Sequence, residues 1–258
     1  MTNGFRENTD NPMDGNPVWK LFEDSYNRHY LEFSGDKTPV IPKKIHLIWL
    51  GSPFPEKYLR IKETWQEHHP SWEIKVWNDK DAENFGLVNK KIYNTTNNYG
   101  IKSDIFRYEI LYRHGGLYTD TDYECFQSFD DLLYLDFLAG TGWNAWPVVF
   151  NGLLACTKGN KYMGSIIDAI HQKQINNHYN PLQVLEFTGC NFITPIYIEY
   201  LKTTKDKMVV FPNHFFYPMP AVDRMDTRED SEESREKIYS YIKPNTYCVH
   251  LWYCSWQK

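Results

Sequence analysis

The chain has 258 residues, 41% of them hydrophobic and 24% charged, with a formal net charge of −5. That length suits one large α/β domain with at most a small appendage. The negative balance argues against a nucleic-acid binder that works by broad phosphate neutralisation. The 9 Trp, 19 Tyr and 15 Phe offer stacking surfaces for sugars or bases, although most aromatic side chains serve as core. The 5 Cys (Cys125, Cys156, Cys190, Cys248, Cys254) are scattered, with no CxxC spacing. They suit a reducing compartment and give neither a disulfide framework nor a zinc site. No stretch is long and apolar enough to span a membrane, and no signal-peptide pattern opens the chain.

Residues 1–16 are polar and read as a flexible lead-in. From Val18 to Phe33, Trp19, Phe22, Tyr26, Tyr30 and Phe33 recur at helical spacing and predict a packing helix. Residues 1–40 thus form a lead-in to a main domain over 41–258. Ile45 to Gly51 is nearly continuous apolar chain, as expected of a strand covered on both faces. It ends in Gly51-Ser52-Pro53, and in open α/β sheets ligands bind at that end of a strand. Trp49 sits there, either as core packing or as a platform for a nucleotide base. A helix is predicted over Pro55–His68, a strand over Trp72–Trp77, and short helices and loops over 80–98.

A helix over Ile101–His114 comes next, closed by Gly115-Gly116. Asp104 and Arg107 are three apart and share a face. They are either a surface ion pair or groups delivered beside the next strand. That strand, Gly116-Leu117-Tyr118-Thr119-Asp120-Thr121-Asp122, alternates so that Tyr118, Asp120 and Asp122 share one side. Two carboxylates so close repel, and a bound divalent cation relieves them. An isolated Asp-x-Asp is also a common solvated turn.

The run Ser103-Asp104-Ile105-Phe106-Arg107-Tyr108, then Leu111-Tyr112, then Gly115 to Asp122 resembles the signature of the DXD glycosyltransferases, the family of the yeast initiating mannosyltransferases and bacterial capsular-polysaccharide transferases. Pro42 to Gly51 resembles that family's opening strand, and the arrangement is similar to the catalytic domain of the large clostridial glucosylating toxins. The resemblance covers residues 41 to about 130 well and the rest thinly. It implies a single α/β domain of the GT-A type, a Rossmann-like mixed sheet with flanking helices. It also implies retaining transfer of a hexose from a nucleoside diphosphate sugar with Mn²⁺ or Mg²⁺. UDP-hexose, such as UDP-galactose, comes first and GDP-mannose second. Carried over, Trp49 stacks on the base, with Leu50 and Gly51 beside it. Asp104 and Arg107 hold the sugar and phosphate region, Tyr118 lies beside the nucleotide, and Thr121 joins the donor set. Asp120 touches ribose or metal, and Asp122 ligates the metal. Asp104, Arg107, Asp120 and Asp122 are the catalytic group.

Beyond the motif, Val148–Cys156 reads as a buried strand broken by Asn151-Gly152, with Asn151 either facing the donor sugar or marking a bulge. Trp143 and Trp146 stand in a loop that offers an acceptor surface. A helix is predicted over 160–177, another over Asn191–Leu201, and a strand over Met208–Phe211. Thr188-Gly189-Cys190 stands where the family commonly has Thr-Gly-Pro, which leaves that turn's conformation open. The charge run Asp223–Lys237 reads as a solvated segment, an exposed helix or a lid. A last strand, Thr246–Leu251, leads into His250-Leu251-Trp252-Tyr253-Cys254-Ser255-Trp256, which resembles the family's closing His-x-Trp…Ser-Trp element. Here His250 reads as a third metal ligand, Trp252 and Trp256 close over the diphosphate or sugar, and Ser255 touches phosphate or metal. The expected acceptor is a saccharide or lipid-linked glycan in capsular or surface polysaccharide synthesis, for an enzyme in the cytoplasm at the inner membrane face. Two other classes stay open: a phosphohydrolase using Asp-x-Asp as nucleophile and acid, and a non-catalytic sugar-binding module.

Overall fold

The computed structural model describes residues 4–10, 15–143, 146–174, 181–225 and 231–253. Its core is a mixed six-stranded sheet in the order β2-β1-β3-β6-β5-β7. β1 (Lys44–Ile48) lies between β2 (Glu73–Trp77) and β3 (Gly116–Thr119), parallel to both, with Ile45 opposite Ile74 on one side and Leu117 on the other. β3 pairs antiparallel with β6 (Phe150–Cys156), β6 antiparallel with β5 (Phe137–Gly140), and β5 parallel with β7 (Met208–Phe211). Ile45, Leu47, Leu117, Leu138 and Leu154 are all buried, because helices cover both faces. A separate two-stranded ribbon pairs β4 (Tyr123–Cys125) with β8 (Cys248–His250).

The helices are α1 (Pro17–Tyr26), α2 (Leu59–His68), α3 (Asp79–Asn84), α4 (Lys90–Thr95), α5 (Tyr99–His114), α6 (Lys161–His171), α7 (Pro181–Phe187), α8 (Cys190–Thr203), the single turn α9 (Asn213–Phe216) and α10 (Glu232–Ser240). A π-helical turn extends α1 to Leu31. α5 carries Asp104 and Arg107, and both of its ends are fixed. The Asn98 side chain caps it by accepting from Ile101 N, and Gly115, at φ +63°, ends it. Gly115 N still donates to Leu111 O, and β3 starts at the next residue. Helix and strand are therefore joined without slack. Among the described residues no helix is long and apolar enough to cross a membrane.

Several expectations need correction. The strand ends at Thr119, and Asp120–Asp122 form a turn into β4, so side-chain alternation does not continue through the acid pair. Pairing with β6 runs out there: Thr119 faces Leu153, and Asp120 N makes one more bond, to Gly152 O. The helix predicted over 160–177 stops at His171. Of the lead-in, residues 4–10 are packed: Phe5 is 1% exposed against Trp19 and Tyr26, and Asp10 bonds Asn213 and His214. The charge run holds a 3-10 turn, Ala221–Met225, and α10, whose Ile238 is buried. β4, β5 and α7 have no counterpart among the elements expected from sequence.

Candidate active site

A cavity of about 570 Å³ opens at the carboxyl ends of β1 and β3 and the start of β6. Crevices at such strand ends are where open α/β sheets take ligands. Ile48, Trp49 and Leu50 reach it from the end of β1, Ser103, Asp104 and Arg107 from α5, Tyr118, Asp120, Thr121 and Asp122 from β3 and its turn, and Asn151 and Gly152 from β6. His250 and Trp252 reach it from the end of β8.

Arg107 is its electrostatic centre. One guanidinium nitrogen lies 3.1 Å from Asp104 Oδ1, and the other lies 3.2 Å from Asp120 Oδ1 and donates to Asn151 O at 2.6 Å. The guanidinium also sits over the Tyr118 ring, 4.4 Å from its centre. Asp104 is 4% exposed, so the surface-pair reading of Asp104 and Arg107 does not hold. Its carboxylate accepts from Thr188 Oγ1 at 2.7 Å and from Asn151 Nδ2 at 2.8 Å. Burial nevertheless pushes it up to about 6, against the pull of Arg107. Asn151 also bonds the Tyr108 hydroxyl, which in turn donates to Thr188 O. Both readings of Asn151 find support: its side chain lines the cavity, and the register of β6 against β5 jumps from Ala139–Leu154 to Gly140–Phe150, an irregularity that spans it.

The two acids of the turn differ. Asp120 keeps 30% of its side chain exposed and accepts the Tyr118 hydroxyl at 2.5 Å. Burial and the neighbouring Asp122 raise its pKa, against Arg107. Asp122 is buried, which disfavours its charge, but the facing His250 and the Tyr253 backbone N–H outweigh that and hold it below the usual carboxylate range. Asp122 Oδ1 lies 3.3 Å from His250 Nε2, and Oδ2 accepts from Tyr253 N at 2.7 Å. β4–β8 pairing makes this junction: Tyr123 faces His250, and their rings stack at 4.3 Å and 4°. Trp252 covers the other side, 4.1 Å from the imidazole, in a left-handed backbone conformation of φ +56°.

Asp120, Asp122 and His250 bring one ligand atom each within 4.8 Å of one another. His250 Nδ1 is buried and bonds nothing among the described residues. Two carboxylates and an imidazole make a donor set that fits a divalent cation, and the imidazole suits Mn²⁺ better than Mg²⁺.

Trp49 lines the cavity with its indole N–H on Ser52 Oγ, and packs on Phe54 and Tyr58. Leu50, Tyr118, Thr121 and Asn151 line it too. Gly51 does not. At φ +82° it admits the Tyr99 ring, whose Cζ would come within 2.4 Å of an added Cβ. Ser255 and Trp256 lie outside the described residues. Sequence reasoning missed Tyr99, Thr188, Tyr108 as a hydrogen-bonding group, Tyr217 and Arg224. Thr188-Gly189 carried a signal, and Arg224 carried none.

The same architecture occurs in the solved structure titled PaToxG Glycosyltransferase, at TM-score 0.53 and 17% identity over 87% of this chain and 82% of that one. Fold and site therefore define an α/β domain of the GT-A type. Residues 55–137, which include the DXD segment, match the family model described as "Glycosyltransferase sugar-binding region containing DXD motif". Among curated proteins it is 31% identical over 165 residues to "Subversion of eukaryotic traffic protein A" of Legionella pneumophila, covering 52% of this chain and 26% of that protein. It is 27% identical over 184 residues to "Inositol phosphoceramide mannosyltransferase 3" of Schizosaccharomyces pombe, covering 70% and 50%. The chain spans half or less of the length of these two relatives.

Proposed function

We propose that the chain is the catalytic domain of a retaining hexosyltransferase that uses a nucleoside diphosphate sugar, a divalent metal and a lipid-linked or saccharide acceptor. The observation that carries this reading is the meeting of Asp120 and Asp122 with His250, from the far end of the described chain, in a cavity that Arg107, Asp104 and Trp49 also line. The resemblance ranks UDP-hexoses first. The relative's name, a mannosyltransferase of inositol phosphoceramide, moves mannose ahead, and favours a glycolipid headgroup over a capsular polymer. Trp49 stacks on uracil or guanine alike. The free thiols of Cys125, Cys156, Cys190 and Cys248 favour a reducing, cytoplasmic setting in this reading.

In this mechanism Asp120, Asp122 and His250 would hold a divalent cation, which would supply positive charge against the departing diphosphate. Arg107, fixed by two acids and a carbonyl, adds a preorganised positive charge beside it. Asp104 and Asn151 face the sugar. The bond from anomeric carbon to phosphate oxygen breaks, and its electron pair stays on that oxygen. The acceptor hydroxyl attacks the same face, and its proton passes to the leaving phosphate oxygen. Asp104 is occupied by Arg107, Asn151 and Thr188, so no cavity acid is presented as a covalent nucleophile.

The test is a thermal-shift screen of UDP-galactose, UDP-glucose and GDP-mannose with and without Mn²⁺, followed by mass spectrometry of products with inositol phosphoceramide micelles and methyl α-mannoside. One donor should stabilise the fold only with metal and yield a glycosylated product. Binding without hydrolysis or transfer would instead indicate a sugar-binding module. Phosphate release from a phosphomonoester would indicate a phosphohydrolase.

A further inference from the structure

The cavity wall that the DXD segment does not supply includes Ala221 and Arg224, on the turn Ala221–Met225. The chain leading into this turn hangs from two cavity indoles: Trp143 Nε1 donates to Pro218 O at 3.1 Å, and Trp252 Nε1 to Met219 O at 2.9 Å. On its other side Asp223 accepts from the Tyr241 hydroxyl and lies 3.8 Å from Lys237 Nζ, which ties the turn to α10. α10 is fixed in turn by a two-pronged ion pair, with Arg235 Nη1 and Nη2 each donating at 2.7 Å to the two oxygens of Glu124. Glu124 is 4% exposed and stands on β4, two residues after Asp122.

Buried ion pairs add little net stability compared with apolar packing, but they fix orientation, because neither partner tolerates losing the other. This one, buried on the Glu124 side and partly exposed at Arg235, links β4, which begins next to Asp122 and pairs with the strand of His250, to α10, to which the far wall is tied. Base, diphosphate and sugar are accounted for by Trp49, the acid–histidine cluster with Arg107, and Asp104 with Asn151. On the transferase reading, that leaves the far wall available to the incoming acceptor.

We propose that Arg235, through Glu124, is a positioning residue for transfer: it sets the Pro218–Met225 wall, with Arg224, at the distance from the donor sugar at which an acceptor hydroxyl can attack. The inference rests on the transferase reading. It predicts a split between water and sugar as acceptors, because water needs no wall.

The test compares Arg235→Ala, Arg235→Lys and the double variant Glu124→Gln/Arg235→Met with the unaltered chain. Donor affinity with Mn²⁺, donor hydrolysis, and kcat and KM for transfer to inositol phosphoceramide micelles and to methyl α-mannoside are measured. Arg235→Ala should leave donor affinity and hydrolysis within about twofold, and raise acceptor KM about tenfold or more. Arg235→Lys should recover part of that loss. The double variant, which leaves no buried charge unpaired, should fold like the unaltered chain yet keep the high acceptor KM. Equal losses in hydrolysis and transfer, or an unchanged acceptor KM in the double variant, would overturn the inference while the transferase reading stood. No hydrolysis or transfer by the unaltered chain would overturn both.

Discussion

Asp104 sits 4% exposed within hydrogen-bonding distance of three partners, and burial still lifts it from 3.8 to about 6. A shift of that size favours the protonated form by roughly 3 kcal/mol. Because the folded value lies above the unfolded one, this contribution is fully present below about pH 4 and is lost as pH rises through about 6. Asp104→Asn should remove that dependence, so urea midpoints of the unaltered chain should fall relative to the variant between about pH 4 and pH 7. Donor affinity should move the other way. Ionised Asp104 is one of the two acids that fix Arg107, so affinity should rise through about pH 6 in the unaltered chain, and Asp104→Asn should bind severalfold more weakly above it, read by calorimetric titration. At Asp122 the charged form is already favoured by His250 and Tyr253 N. A carboxylate held below its ordinary pKa contributes stability when ionised, so Asp122→Asn should fold with a lower Tm at neutral pH and lose the thermal shift produced by Mn²⁺, whereas a retained shift would remove Asp122 from the ligand set.

α5 and β3 are joined by a single glycine, which brings Asp104 and Arg107 to the same cavity as Tyr118 and Asp120. This part was legible because the residues lie within one continuous stretch whose helix, cap and strand are local features. What lay outside local reading depends on partners far along the chain. The strand ends at Thr119 because β6 stops pairing, not because the pattern Tyr118-Thr119-Asp120 changes. α10 docks because Glu124 lies beneath it, and nothing in the charge run announces that partner. Trp49 was ambiguous from sequence, and the structure both packs it on Phe54 and Tyr58 and has it line the cavity. Gly51 was placed in the donor set, yet its contribution is room for Tyr99. Gly51→Ala should cost about 1–2 kcal/mol through its φ of +82° and displace Tyr99, weakening nucleotide binding as well as lowering Tm. A variant with unchanged Tm and nucleotide affinity would show that the Gly51–Tyr99 contact is dispensable.

Over the whole molecule, one apolar core runs from Phe5 and Trp19 through the sheet to Tyr247 and Cys248, so the expected boundary near residue 40 is not a division of the core. A smaller cluster, Tyr58, Ile61, Met219, Ile238, Val249 and Leu251, packs beneath the ribbon that holds His250. The candidate cation ligands Asp120, Asp122 and His250 come together only where distant parts of the chain close on one another, with Tyr253 N on Asp122 Oδ2 across 131 residues, so a ligand bound there should stabilise that closure. A donor at about 100 times its dissociation constant, measured with metal present, should add roughly 2.7 kcal/mol, or several degrees in Tm, and a chelator should reverse the gain. The most direct measurement is a calorimetric titration of Mn²⁺ in the presence of UDP or GDP, on the unaltered chain and on Asp122→Asn and His250→Ala. The account predicts one metal-dependent site in the unaltered chain, lost in Asp122→Asn and weakened about tenfold or more in His250→Ala. Equal binding by all three proteins would contradict it.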